Sequence, residues 1–231
     1  MNEPGGFLRR NREALAAAGI DPSRLPPGQY RTERFPVLHI GEVPDWRDLS
    51  TWDLRIVGHV EQPYSIGFDE LRSLPAVTIT PDIHCVTKWS VFGTTWTGVR
   101  VADLLDRAGV RPGAGYVLQW ADGGYTTNVP LADLVEDGIV AYELDGAPLP
   151  PEHGYPARVV LPRLYFWKSA KWLRALEVLV DDRPGYWERN GYHLRGDPFA
   201  EQRFGRGGLL HPRALFARAF GKPERDLPPV E

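Results

Sequence analysis

Cysteine is all but missing from this chain: Cys85 is the only one in 231 residues. That excludes an intrachain disulfide framework and any cysteine-rich zinc or iron–sulfur site. Long apolar runs are missing too, and none approaches the ~20 residues of a membrane-spanning helix. Neither sign of charge dominates, with 27 basic and 30 acidic residues and a net charge of −3. No basic field therefore recruits nucleic acid or an anionic membrane surface. There is no internal repeat, no low-complexity tract, no G-x-G-x-x-G and no Walker run, so nucleotide folds are not supported. His39, His59, His84, His153, His193 and His211 show neither H-x-H nor H-E-x-x-H spacing, which argues against zinc. Arg9 and Arg10 precede an apolar run that Arg12 and Glu13 break, too short for the apolar region of an export signal. Leu8–Ala18 reads as a short surface helix, and a cytoplasmic location is expected.

What is present centres on Thr80–Gly98, T-P-D-I-H-C-V-T-K-W-S-V-F-G-T-T-W-T-G. A β-branched run with Val77, Ile79 and Ile83 reads as a buried strand with Cys85 beyond its end. Lys88, Trp89 and Trp96 follow, with hydroxyls at Thr87, Ser90, Thr94, Thr95 and Thr97. A lone cysteine is most often a small buried hydrophobe. At the rim of a pocket it is a nucleophile or a ligand to a soft metal. His84 points to the opposite face of the strand and is badly placed as a base for its neighbour.

The chain otherwise alternates strands and short helices irregularly. Pro22 to Pro44 is a proline-rich extended arm, expected to lie across the domain rather than inside a sheet. Its Gln29, Tyr30, Arg31 and Arg34 make it a candidate wall of a site. Strands are expected over Trp52–Val60, Tyr116–Trp120, Ile139–Leu144, Arg158–Leu161 and Leu176–Val180. Helices are expected over Phe68–Leu74, Val101–Ala108 (stopped by Gly109) and Pro130–Glu136. That pattern predicts an α+β, β-rich fold with long loops. The domain is expected over 25–182, after an N-terminal arm at 1–24 and before an aromatic-rich extension at 183–231 that wraps it. Arg203, Arg206, Arg213, Arg218, Lys222 and Arg225 make the end of that extension locally basic, and a solvated tail is expected.

A second constellation spans His153–Leu173. Arg158, Arg163, Lys168 and Lys171 fall within fourteen residues, with no acid among them. Charge alone favours a solvated face. Interleaved Val159, Val160, Leu161, Tyr165, Phe166, Trp167 and Trp172 keep the segment packed, so some of these cations are expected to face a cleft. With Ser169 and free backbone N–H groups they suit a phosphate or another compact anion.

Four runs together carry a resemblance: I-H-C-V-T-K-W-S with downstream W-T-G-V; V-A-D-L-L; A-Y-E-L-D-G-A-P-L-P-P-E-H-G-Y-P-A-R-V-V-L-P; and L-Y-F-W-K-S-A-K-W-L. The chain resembles the sulfite oxidase-type molybdopterin oxidoreductases, nearest the small bacterial methionine sulfoxide reductase catalytic subunits. The resemblance implies a molybdenum–molybdopterin cofactor in its mononucleotide-free form. It implies Cys85 as the protein thiolate on the metal, with Lys88 beside it as a second catalytic candidate. His153 and Arg158 would hold the pterin and its phosphate, with Ser169, Ala170 and Lys171 completing the grip. Gln29 and Arg34 would cover the pterin from the arm, and Lys168 would join the grip or lie in solvent. Trp89 and Tyr165 are pocket candidates. The expected partners are a small-molecule oxygen-atom donor or acceptor and an electron-transfer protein of unknown kind, with no nucleic acid and no membrane span.

The run after Cys85, C-V-T-K-W-S, lacks the arginine that holds the anionic substrate in sulfite oxidases. The expected reaction is therefore reduction of a sulfoxide or N-oxide, with sulfite oxidation as the alternative. Arg163 is the one residue placed to replace that arginine by folding into the pocket. Two other readings stay open: a cysteine hydrolase with Cys85 as nucleophile and His153 as base, and a non-catalytic anion-binding module.

Overall fold

The computed structural model describes residues 4–205 and 226–230. Most of the expected basic tail, 206–225, lies outside the described residues. Helix α1 (Pro4–Ala17) and a 3-10 turn at Pro22–Arg24 lead into the arm, which contains β1 (Tyr30–Arg31). Then come β2 (Asp53–Gly58), β3 (Tyr64–Gly67), α2 (Phe68–Ser73), β4 (Ala76–Ile79), β5 (Ile83–His84), β6 (Trp89–Val91) and β7 (Trp96–Arg100). Helix α3 (Val101–Ala108) is followed by β8 (Tyr116–Ala121), β9 (Thr126–Pro130), α4 (Leu131–Asp137), β10 (Ile139–Leu144) and β11 (Ala147–Pro148). The last elements are β12 (Arg158–Val160), β13 (Leu173–Leu179) and α5 (Tyr186–Arg189). This is the α+β, β-rich architecture that the pattern predicts. No helix among the described residues is long and apolar enough to cross a membrane.

Three sheets result. One runs β3-β2-β13-β8-β9, another β11-β10-β7-β4 with β12 also paired to β10, and a small one β1-β6-β5. Strands β10 and β12 are buried on both faces. Successive side chains of a strand point to opposite faces, so Val140 and Val159 enter a large core shared with Leu54, Ile56, Val99, Leu104, Val117 and Leu176. Ile139, Ala141 and Val160 enter a second core with Ile83, Cys85, Trp89, Val91 and Trp96. A strand buried on both faces reads as an unbroken apolar run rather than an alternation. The I-V-A-Y start of β10 is such a run.

Two further details follow from sequence. Helix α3 ends where Gly109 enters the left-handed region (φ 68°) and its N–H caps the carbonyls of Leu105 and Asp106. The arm is not wholly outside the sheets as expected, because Tyr30 and Arg31 pair in parallel with Trp89 and Ser90. That pairing tethers the arm beside Cys85.

Candidate functional site

Cys85 lies between β5 and β6, where its N–H donates to the Trp89 carbonyl and the Lys88 N–H donates back to the Cys85 carbonyl at 3.0 Å. This is a three-residue hairpin loop, whose last position favours a left-handed residue. Lys88 takes that conformation with φ 78°. The sulfur is buried and accepts a hydrogen bond from the Thr87 hydroxyl at 3.2 Å. Burial pushes the thiol's pKa up, and the Thr87 hydroxyl and the Arg203 charge oppose that rise. Neither histidine serves it as a base. His84 Nδ1 is bonded to the Ser90 hydroxyl at 2.8 Å, and the His153 ring packs on Phe35 with centroids 4.7 Å apart. Burial pushes both imidazoles down to about 4, so both are neutral at neutral pH.

Arg158 is fully buried, and its guanidinium sits over the Phe166 ring at 4.1 Å. It donates to the carbonyls of Val159, His153 and Ser169 at 3.2, 2.8 and 3.0 Å. A guanidinium has five N–H bonds, so two remain. No acid among the described residues pairs with it, and burial lowers its pKa to about 9. Lys171 lies half-buried beside it and donates to the carbonyls of Leu38 and Glu152. Burial, then the Arg158 charge, pushes the Lys171 ammonium down to about 7, while Cys85 acts in the opposite direction. The Ser169 hydroxyl accepts from the Leu161 N–H at 3.0 Å, and the Ala170 N–H donates to Gln119 Oε1 at 2.9 Å. Between these groups and Cys85 stands an aromatic wall of Phe35, Trp89, Trp96 and Phe166, in edge-on and tilted contacts at 5.8–6.0 Å.

The structure thus brings Tyr165 and Lys171 each within electrostatic reach of Cys85, and joins His153, Arg158, Ser169 and Lys171 through shared carbonyls and charge. It does not bring in Arg34 or Lys88, whose side chains are exposed. Lys168 neither lies in solvent nor joins the site. Its fully buried ammonium donates to Glu188 Oε1 at 2.5 Å and to the Asn128 carbonyl at 2.8 Å. Arg163 is held away from the site by Asp133, Glu136 and Asp137.

Arg203, expected as part of a solvated tail, is instead buried. It donates to the carbonyls of Val86 and Pro27 at 2.7 and 3.1 Å, and its guanidinium lies over the Tyr165 ring at 5.0 Å. Gln29 is buried as well, and its amide donates to the Cys85 carbonyl at 2.9 Å. No local sequence signal marks Arg203, which stands 117 residues from the carbonyl it holds. Three buried polar atoms around the Cys85 loop have no hydrogen-bond partner: Gln29 Oε1, Trp89 Nε1 and the Tyr165 hydroxyl.

A model of the oxidoreductase molybdopterin binding domain matches residues 40–187. An uncharacterised oxidoreductase, YuiH, of Bacillus subtilis is 50% identical over 182 residues, covering 78% of this chain and 92% of that one. A putative protein-methionine-sulfoxide reductase subunit, YedZ1, of Azospira oryzae is 31% identical over 150 residues, covering 64% of this chain and 57% of that one. The crystal structure of the sulfane dehydrogenase SoxCD from Paracoccus pantotrophus superposes with a TM-score of 0.56 at 24% identity, covering 62% of this chain and 41% of that one. The chain therefore spans nearly all of the Bacillus relative and about half of the other two.

Proposed function

The chain belongs to the family of oxidoreductases with a molybdopterin-binding domain. From that premise we propose that it reduces a sulfoxide or N-oxide, the oxygen leaving as water with two protons and two electrons from an electron-transfer partner, and that Cys85 is the protein's thiolate on molybdenum. The observation that carries this is the pairing of a buried thiol with an acid-free cationic cradle across an aromatic wall. The residues fit the group. Among the described residues no cluster of histidine, cysteine and acidic side chains holds a metal alone, so a metal here arrives with most of its own ligands, as a dithiolene supplies them. Cys85 would offer such a soft centre a thiolate, giving up the proton that burial keeps on the sulfur.

When bound, the cofactor supplies two-electron oxygen-atom chemistry; the chain supplies shape, charge and positioning. We assign to Arg158, with its two remaining N–H bonds, and to Lys171 the pterin phosphate, a fork and a point charge respectively. A phosphate there restores full charge to a lysine that burial has weakened. His153, neutral and tilted against Phe35, offers a hydrogen bond to the pterin without adding charge. Ser169 and Ala170 hold the loop in register, and Gln29 and Phe35 cover it from the arm. Arg34 we place at the outer edge of that cover. Tyr165 offers its unpartnered hydroxyl to the polar oxygen of the substrate, and Lys88 lends charge at the rim.

Substrate class follows from charge. A small dianion beside Cys85 meets aromatic faces and the neutral His153 imidazole, and its desolvation is costly without firm cations. Arg163 is fastened to three carboxylates, and each terminal nitrogen of Arg203 donates to a backbone carbonyl. The name of the Azospira relative agrees with reduction, while that of the Paracoccus structure favours the reverse direction. Protein from a pterin-competent host should carry close to one molybdenum per chain. Cys85→Ala should keep pterin, change the metal's spectrum and abolish turnover. Metal-free wild-type protein from that host would sink the reading. Efficient sulfite oxidation without sulfoxide or N-oxide reduction would reverse the assigned direction.

A further inference from the structure

The loop that carries Cys85 is held from outside at two successive carbonyls. Gln29, from the arm, holds the Cys85 carbonyl, and Arg203, from the segment after α5, holds that of Val86. The same guanidinium reaches the arm at the Pro27 carbonyl and covers the Tyr165 ring. The intervening Gly28 makes this approach possible. Its φ is +71°, and a Cβ there would lie 2.6 Å from Glu201 Oε1 and 3.1 Å from Arg203 Nη2. Glu201 itself has a left-handed backbone at φ 50°, a conformation side chains disfavour. Three segments far apart in sequence thus meet at one buried guanidinium. Among the described residues its only ion pair is a loose 3.7 Å contact with the half-exposed Glu201 carboxylate.

We infer that Arg203 is a positioning residue. It clasps the arm, the Cys85 loop and Tyr165 into one unit, so that sulfur and phenol hydroxyl keep a fixed separation. Both hydrogen bonds it makes go to backbone carbonyls of the arm and the Cys85 loop, so it acts through its neighbours. The inference rests on Cys85 being the reactive thiolate, but the local order it describes is measurable without cofactor.

The test is amide hydrogen exchange on the apoprotein of Arg203→Ala, Arg203→Lys and Gly28→Ala. The Tyr30 and Lys88 amides donate to the carbonyls of Lys88 and Cys85, so they report on the clasp. With the clasp removed, peptides over 24–36 and 85–90 should exchange about tenfold faster or more, while β13 stays protected. In the loaded enzyme Arg203→Ala should lower kcat by about tenfold to a hundredfold with KM little changed, and Arg203→Lys should recover part of it. Unchanged exchange in both alanine variants overturns the inference. So does acceleration spread evenly into β13, which would make Arg203 an ordinary packing residue, or unchanged kcat in Arg203→Ala. Full turnover in Cys85→Ala would instead defeat the reading of Cys85 and leave the exchange result standing.

Discussion

At the scale of single residues, Arg158 shows how one side chain serves both fold and site. Removing it leaves the carbonyls of His153 and Ser169 buried and unpartnered, at about 1–3 kcal/mol each. Arg158→Ala should therefore lower apoprotein stability by about 3 kcal/mol in urea titrations and strip most of the pterin from purified protein. Arg158→Lys should rescue neither, because a point charge on a flexible stem does not reproduce a planar fork. Equal pterin in wild type and Arg158→Ala would remove Arg158 from the cofactor site. His84 makes a separate prediction. Burial holds its folded pKa at about 4 against an ordinary 6.5, so between those values the unfolded chain binds the extra proton. Stability is whole above pH 6.5, falls as pH drops towards 4, and levels off below. At ~1.4 kcal/mol per unit the loss is on the order of 3 kcal/mol. His153, held at about 4 as well, adds a similar limb, so apoprotein melts across that range should show both and His84→Gln should remove about half of the fall.

Among elements, the packing of α5 onto β9 rests on a buried charge pair. Lys168 and Glu188 are both fully buried, and Glu188 also accepts from the Thr127 hydroxyl at 2.8 Å. Breaking such a pair on one side strands a charge, at about 3–5 kcal/mol, whereas replacing both partners by apolar groups is far less harmful. Lys168→Met should destabilise by that amount in chemical denaturation, and Lys168→Met with Glu188→Leu should recover most of it. An additive double variant would mean that the two charges do not interact. This network also explains what the sequence concealed. Strand β9, T-T-N-V-P, has no alternation, because Thr127 and Asn128 are buried on polar partners, Glu188 and Asp182, from outside its sheet. Strand β7 carries Gly98, which reads as a break. It is there because a Cβ would lie 2.1 Å from the Val140 carbonyl of the neighbouring strand. Helices α2, α3 and α4, and strands β2, β8 and β10, were legible because local periodicity and end signals set them. Arg203 and Phe35 were not, since only tertiary folding brings them to Cys85.

Across the whole molecule, the site lies where the small β1-β6-β5 sheet meets the second core, outside the larger core between the two five-stranded sheets. Each of those sheets can form from residues 53–179 alone. The clasp cannot, since its members come from the arm at Pro27 to Gln29 and from Arg203. On a ribosome the arm is made first and Arg203 last among them, and domains fold as they emerge. The β framework is therefore complete while the arm is fastened without Arg203, by its pairing with β6 and by Gln29. A nascent chain holds the Cys85 loop from the arm alone until residue 203 leaves the exit tunnel, and only then does the carbonyl of Val86 gain its partner.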